Sequence, residues 1–335
     1  MRIGIDLMGS DSSPEIIFEA VLDASEKLNT PAQFVVFLTN DSALTLFAKY
    51  KTKFFQNSSG SKIDFCLVQD VISMDEEPLT AIRLKRNSSL CVGIKQIGEQ
   101  RIDAFVTAGN TGALIAAATI GLNPLGSFDR SALLALLPTK KRPLAIIDVG
   151  GNISCKPRQL VLYAFIGAAY QRCMMGIEIP KVGVLNIGSE SKKGTSELRE
   201  VYGALQEYAS RPDSKIAFIG NIEGREIFLG NVDVLVTDGF TGNILLKTSE
   251  GISSYIFDAI RETIKQTDSE DLHHNLENLQ GHFNYEKYPG ALVCGVDGIL
   301  IKCHGAATRE SMKNSILGAI ALVQNNLLEK MRLEL

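Results

Sequence analysis

No apolar run in the 335 residues approaches the roughly 20 needed to cross a bilayer, so a membrane-spanning helix is not expected. The six cysteines, Cys66, Cys91, Cys155, Cys173, Cys294 and Cys303, show no CxxC spacing. Most sit in apolar runs, which fits small reduced side chains in a core rather than disulfides or metal ligands. Three of the four histidines, His273, His274 and His282, lack both HExxH spacing and cysteine partners, so no metal site is expected. No GxGxxG followed by an acidic residue marks a nicotinamide site. The stretch VLNIGSESKKGTSEL (184–198) fails the P-loop pattern, because Lys192 and Lys193 precede Gly194 instead of following it. Excess positive charge is also missing: the net charge of −4 argues against a nucleic-acid binder. Asp6 and Asp11 interrupt what would be the apolar part of a signal peptide, so no export signal and a reducing cytoplasm are the expectations.

What is present is an alternation of strand-like apolar runs with helical patterns along nearly the whole chain, from RIGIDLM to ALVCGVDGILIKCH. That alternation predicts an α/β fold with three layers, a largely parallel sheet covered by helices on both faces. Helices are expected over 14–28, 79–99, 111–122, 157–175, 194–209, 241–265 and 306–331. No low-complexity linker divides the chain. The expectation is one α/β unit over 1–335, or two closely packed lobes sharing strands, with a helical hairpin around 252–288. In such sheets ligands sit at the carboxyl ends of the strands, so strand-end residues carry the functional information.

The stretch IDAFVTAGNTGALIAAATIGL (102–122) runs from a buried strand through Gly109 into an Ala-rich helix opened by Thr111 and Gly112. Unpaired amides and the dipole at such a helix start form an anion site. A second stretch, VDVLVTDGFTGN (232–243), matches IDAFVTAGNTGA (102–113) at six of twelve positions. The echo predicts two facing cradles, with Asn110, Gly109, Thr111 and Gly112 on one and Asp238, Gly239, Thr241, Gly242 and Asn243 on the other. Lys247 follows Asn243 by four residues and shares its helix face. A third strand-to-helix segment, KKRPLAIIDVGGNISCKPRQL (140–160), supplies Asp148 and Asn152, with Lys156 where the helix begins. Asn186 and Lys193 lie in the loop after a further strand, and Gly9 and Asp11 in the turn after the first. His304 is the one histidine at a strand-to-helix junction, and so the one general acid or base candidate of that type. Two basic clusters, Arg83/Lys85/Arg86 and Lys140/Lys141/Arg142, are candidate docks for an acidic partner.

The motifs VTAGNTGAL, IDVGGNISCKP, LNIGSE, GNIEGREIF, VTDGFTGNILLKTSEG and DGILIKCHG, in this order, resemble the bacterial phosphate acyltransferase (PlsX) family of phospholipid synthesis. The resemblance implies a cytoplasmic homodimer that moves a fatty acyl group from acyl-carrier protein to inorganic phosphate. The product, acyl-phosphate, would serve a membrane glycerol-3-phosphate acyltransferase. It also implies a fold similar to phosphotransacetylases and to the isocitrate and isopropylmalate dehydrogenases. That chemistry suits the residues: it needs an anion cradle and oxyanion donors, and no nucleophilic triad, covalent acyl-enzyme or cofactor. The amides around Asn110, Thr111 and Gly112 are the expected phosphate cradle, and Lys156, Lys193 and Lys247 the candidate cations. Asp148, Asn152, Asn186, Asp238 and Asn243 are expected to orient the thioester or these cations. Two departures stand out. The family's Gly-Gly-Asp-His-Ala-Pro is here Gly9-Ser10-Asp11-Ser12-Ser13-Pro14, so no histidine is needed there. The family's Gly-Gly-Ala-Pro-Leu-Leu-Gly-Val is here Pro289 to Val296. Residues 266–282 are polar where some relatives carry an apolar membrane-touching tip, so peripheral membrane association is expected to be weak or absent.

Overall fold

The structure, a computed structural model, describes residues 1–54, 60–264, 276, 279 and 287–334, the side chains of 51–54 and 264 excepted. The chain divides into two compact units, Met1–Leu133 with Tyr288–Leu335, and Leu134–Lys287. With strands numbered along the chain, the first unit holds β1 (Arg2–Asp6), β2 (Gln33–Leu38), β3 (Lys62–Leu67), β4 (Ala104–Thr107), β10 (Ala291–Cys294) and β11 (Ile299–Lys302). They lie in the order β3-β2-β1-β4-β11-β10, every described neighbour pair parallel except β10 with β11. β4 and β11 are buried along their whole length, as strands covered on both faces must be. The expected Asp-Gly hairpin joins β10 to β11, through the four residues Gly295 to Gly298.

Helices of this unit, numbered along the chain, are α1 (Pro14–Glu26), α2 (Asn40–Phe54), α3 (Pro78–Leu84), α4 (Ser89–Gly98), α5 (Thr111–Gly121), α9 (Arg309–Gln324) and α10 (Leu327–Arg332). α9 packs on α1 and covers β1, β4 and β11, whereas α4 packs on α5 and covers β1, β2 and β4. Two helix sets with a sheet between them give the expected three layers. In the second unit β5 (Ala132–Leu137, of which this unit takes Leu134 onward), β6 (Leu144–Ile147), β7 (Lys181–Leu185), β8 (Ala217–Ile222) and β9 (Val234–Val236) run in the order β5-β6-β9-β7-β8, with only β5 and β6 antiparallel. Its helices are α6 (Pro157–Met175), α7 (Ser196–Ala209) and α8 (Gly239–Ile264). α6 has the bounds its sequence predicts: Pro157 opens it and Gly176, in the left-handed region at φ 67°, closes it.

Three expectations are corrected. The helix expected over 79–99 is two helices, because α3 ends at Leu84 and Ser88 starts α4 by accepting from the Cys91 amide at 3.3 Å. The helix expected over 306–331 is interrupted where Asn326 turns left-handed at φ 53°. α2 was not expected, since its stretch is polar; it is held by Ala43, Leu46 and Tyr50, which recur at helical spacing and are buried. Beyond Ile264, the expected hairpin around 252–288 and the polar stretch 266–282 lie outside the described residues, apart from 276, 279, 287 and 288.

Candidate functional site

In the first unit three neighbouring strands end level with one another. Ile5 pairs with Val106 and Lys302 with Thr107, so Asp6, Thr107 and Lys302 stand in a row on one face at the carboxyl ends of β1, β4 and β11. All three are buried. The Asp6 carboxylate accepts from the Thr107 hydroxyl at 2.8 Å and from the Met8 amide at 2.9 Å. Thr107 Oγ1 in turn accepts from the Gly109 amide at 3.0 Å. Lys302 Nζ donates to the Ala108 carbonyl at 3.2 Å and to the Cys303 carbonyl. The glycine turn of β4 is thus gripped from below by a carboxylate through Thr107 and by an ammonium through Ala108.

Above the row, Asn110 caps α5: its Oδ1 accepts from the Ala113 amide at 3.0 Å. Its Nδ2 donates to the carbonyls of Ser73, Met74 and Glu76 at 3.0–3.2 Å. The whole Asn110 amide is thus engaged by the cap and by the 73–76 loop. The amides of Thr111 and Gly112 take no partner among the described residues and remain available to an anion. Gly112 also permits close approach, since a Cβ there would come within 2.5 Å of Pro78.

The neighbouring loops are laced to this turn. Gly9 adopts φ 73°, and a side chain on it would collide with the Ile72 carbonyl. The Asp11 amide donates to the Gly305 carbonyl at 3.1 Å and Ser12 Oγ to the Ala307 carbonyl at 2.7 Å. This brings Gly9, Asp11 and the exposed His304 to the same strand ends as Gly109, Asn110, Thr111 and Gly112.

Burial pushes the Asp6 carboxyl up to about 6, against the pull of the donors from Ser89, Met8 and Thr107 and the charge of Lys302. Its ordinary value is 3.8, so the native state holds this proton more tightly than the unfolded chain does. The stability this confers is fully present below pH 3.8 and is lost as pH rises through about 6. The shift corresponds to roughly 3 kcal/mol. Urea unfolding at several pH values is expected to show a decline over this window relative to Asp6→Asn. Parallel pH dependences in the two proteins would refute the assignment.

In the second unit the echo turn is built differently. Its cap is Asp238, the counterpart of Ala108 rather than of Asn110, and it accepts from Thr241 N at 2.8 Å and from Thr241 Oγ1 at 3.0 Å. Asp238 and Thr241 are therefore occupied with each other, and a carboxylate already stands where an anion would bind. Gly239 N donates to the Asn152 carbonyl at 2.8 Å, and a Cβ on Gly242 would strike the Asp148 carbonyl. Asp148 accepts from the amides of Gly150 (3.1 Å), Gly151 (2.7 Å) and Asn152 (2.8 Å) and from Asn152 Nδ2 (3.0 Å). Asn152 also donates to Tyr163 Oη at 3.0 Å. Both side chains thus help to shape the 148–152 loop. Asn186 is buried and donates to the Lys193 carbonyl at 3.2 Å.

Of the expected cations, Lys156 is exposed at the start of α6, Lys193 lies 3.9 Å from Glu190, and Lys247 pairs with Glu250 at 2.6 Å. Asn243 is exposed one turn before Lys247, and Gly150 packs beside it. In the basic clusters, Lys85 Nζ is half-buried and bonded to Glu76 (2.6 Å) and the Val71 carbonyl (2.7 Å). Arg83 and Arg86 line a groove of about 1160 Å3 with Ile82, Ile94 and Ile120. Arg142 pairs with buried Asp233 at 3.0 Å and Lys141 donates to Asn231 at 2.8 Å, which leaves Lys140 as the exposed member of its cluster with no side-chain bond among the described residues.

Thr107 and Lys302 are absent from the expected site, and Asp6 enters only as a strand-end carboxylate suited to orienting a substrate group or a cation. A signal for Asp6 was present: Ile5-Asp6-Leu7-Met8-Gly9 is echoed by Ile147-Asp148-Val149-Gly150-Gly151. Each stretch lies on the strand beside an echo strand, so the internal repeat spans two strands, not one. Lys302 carries no such mark, because a lysine at a strand end is ordinarily solvated.

Comparison with known proteins adds three findings. A family model described as "Fatty acid synthesis protein" matches residues 1–330. Phosphate acyltransferases of Chlamydia caviae and Heliobacterium modesticaldum are 37% and 36% identical, covering 98% and 97% of this chain and 98% and 95% of their own lengths. In fold, the chain is similar to EutD phosphotransacetylase from Staphylococcus aureus (TM-score 0.59, 13% identity, 97% of this chain and 94% of that one). It is also similar to a branched-chain phosphotransacylase from Enterococcus faecalis (TM-score 0.60, 14% identity, 96% and 99%).

Proposed function

Because the chain belongs to the phosphate acyltransferase family of fatty acid and phospholipid synthesis, we propose that it transfers a fatty acyl group from the thioester of acyl-carrier protein to inorganic phosphate. The observation that carries the reading is the start of α5, where a neutral Asn110 cap leaves the Thr111 and Gly112 amides open to an anion. The second turn, with its Asp238 carboxylate, is the poorer anion site. Phosphate bound on α5 attacks the thioester carbonyl carbon through one oxygen. The C–S bond then breaks, its electron pair leaves on sulfur, and acyl-phosphate and the carrier thiol result. A thiol of ordinary pKa near ~8.5 leaves without strong acid catalysis. The Cys155 thiol is pushed up to about 11 by burial, which makes it a poor nucleophile and favours direct attack over a covalent acyl-enzyme. His304, beside the first turn, is the side chain placed to exchange a proton with phosphate. No cofactor is required.

Acyl-carrier protein is acidic, so a net-negative enzyme needs a local basic dock. Arg83 and Arg86 at the rim of the groove are the first choice and Lys140 the second. Arg83→Glu combined with Arg86→Glu is expected to raise KM for the carrier about tenfold with kcat little changed, a rim-charge effect. An unchanged KM in steady-state kinetics would move the dock elsewhere. A homodimer is supported by α8, which exposes Phe240, Ile244, Ile252, Tyr255 and Ile256 along one helix. No described helix is long and apolar enough to cross a membrane. A cytoplasmic enzyme handing its product to a membrane glycerol-3-phosphate acyltransferase fits this reading. The deciding experiment incubates the protein with acyl-carrier-protein thioester and phosphate. Acyl-phosphate trapped as hydroxamate, with stoichiometric thiol release, is expected; carrier binding without turnover would replace the enzyme by a carrier-binding protein.

A further inference from the structure

We propose that the groove bounded by α3, α4, α5 and α10 is a waiting site for the acyl-phosphate product, with the phosphate head on Arg83 and Arg86 and the hydrocarbon chain along Ile82, Ile94, Ile97 and Ile120. The proposal rests on acyl-phosphate being what the protein makes. The groove lies wholly within the first unit and encloses about 1160 Å3. Sites for drug-sized ligands commonly enclose ~300–1,000 Å3, so a single long chain has room. Its apolar lining includes Ile120, which is 69% exposed and so leaves an isoleucine open for a chain to cover.

Charge decides which kind of chain this is. Of the five cations that line the groove, three are neutralised: Arg2 by Asp103 (3.7 Å), Lys95 by Glu99 (3.9 Å) and Arg332 by Asp297. Arg83 and Arg86 are exposed and form no ion pair among the described residues. The acid Glu329 stands on another wall, on α10. Two guanidinium forks suit the several oxygens and the double charge of a phosphate head. A thioester is uncharged and would leave both forks unanswered, so the groove fits the product better than the donor.

Position supplies the route. α5 starts at the cradle, and Ala117, Ile120 and Gly121 near its other end line the groove. The 11 residues of α5 span about 16 Å. α3 starts beside it, where a Cβ on Gly112 would come within 2.5 Å of Pro78, and carries Ile82 and Arg83 to the groove. A head that leaves the cradle along α3 therefore meets Arg83, and the cradle is free for the next phosphate. Arg83 and Arg86 are also the first choice for the carrier's dock. Product held there keeps the next carrier off until the product is consumed.

Dodecyl phosphate, a stable single-chain phosphate, is the probe, used below its micelle concentration with inorganic phosphate saturating the cradle. Calorimetric titration is expected to show one site per chain. Arg83→Gln combined with Arg86→Gln should weaken it about tenfold, the low end for losing a hydrogen bond to a charged group. Ile120→Asp, at an exposed position that the fold tolerates, should weaken it by a similar factor. Dodecanoate should bind more weakly than dodecyl phosphate, and dodecyltrimethylammonium not at all. Binding abolished by inorganic phosphate would put the chain at the cradle and overturn the site. Wild-type affinity in both variants would overturn it too. Equal affinity for dodecanoate would overturn the product as occupant. None of these outcomes depends on turnover, so a failure of acyl transfer itself, seen as an absence of trapped acyl-phosphate, is read separately.

Discussion

Thr111→Pro is expected to lower kcat/KM for phosphate by about a hundredfold, the scale set by removing one preorganised donor from a charged site. Its melting temperature should shift by no more than a few degrees. The substitution separates function from fold because Thr111 is the first residue of α5, where proline is well tolerated and its fixed φ suits the helix. The residue before it is already clear of the α region that a following proline disfavours, since Asn110 holds φ −56° and ψ 118°. What disappears is one N–H, and that N–H supports nothing in the described protein. Thr111→Ala keeps the N–H and should retain most activity. If steady-state kinetics place Thr111→Pro within threefold of wild type, phosphate binds somewhere other than α5.

Asp148→Ala is expected to cost about 3–5 kcal/mol in stability, from several buried donors left without an acceptor at once. Asp148 is fully buried, and its two oxygens receive three backbone amides and the Asn152 side chain. Gly239 and Gly242 pack against this loop, so its loosening should reach the start of α8 as well. Urea denaturation would measure the change. A loss below ~1 kcal/mol would mean that the loop holds its shape without the carboxylate.

These two residues mark how far the sequence could be read. The turn at 107–112 was legible because a buried strand, a glycine and a helix start occur in an order that makes an anion cradle, and α6 because proline and glycine punctuate its ends. Side-chain allegiance was not legible. Asn110, Asp148 and Asp238 are all short polar residues at strand ends, and residues of this type serve a ligand or a backbone amide equally well. Only the positions of Ala113, of the amides of 150–152 and of Thr241 settle that all three cap their own chain. Lys85 misleads in the same way: its charge reads as surface, but the break after Leu84 folds its ammonium back onto Glu76 and Val71. Lys302 was hidden because its partner Thr107 lies about 195 residues away in sequence, and only strand register brings the two level.

That register has a consequence for assembly in time. β4 is followed within a few residues by the helix start that would bind phosphate, yet the strand that pairs with β4 and delivers Lys302 begins at Ile299. At typical synthesis rates of ~5–20 residues per second, the wait between them is on the order of 10–40 s. Throughout that interval a nascent chain has the turn without the ammonium below it, and β4 has an open edge. The last strand translated thus completes the support of the cradle, and chains cut short before it lack that support.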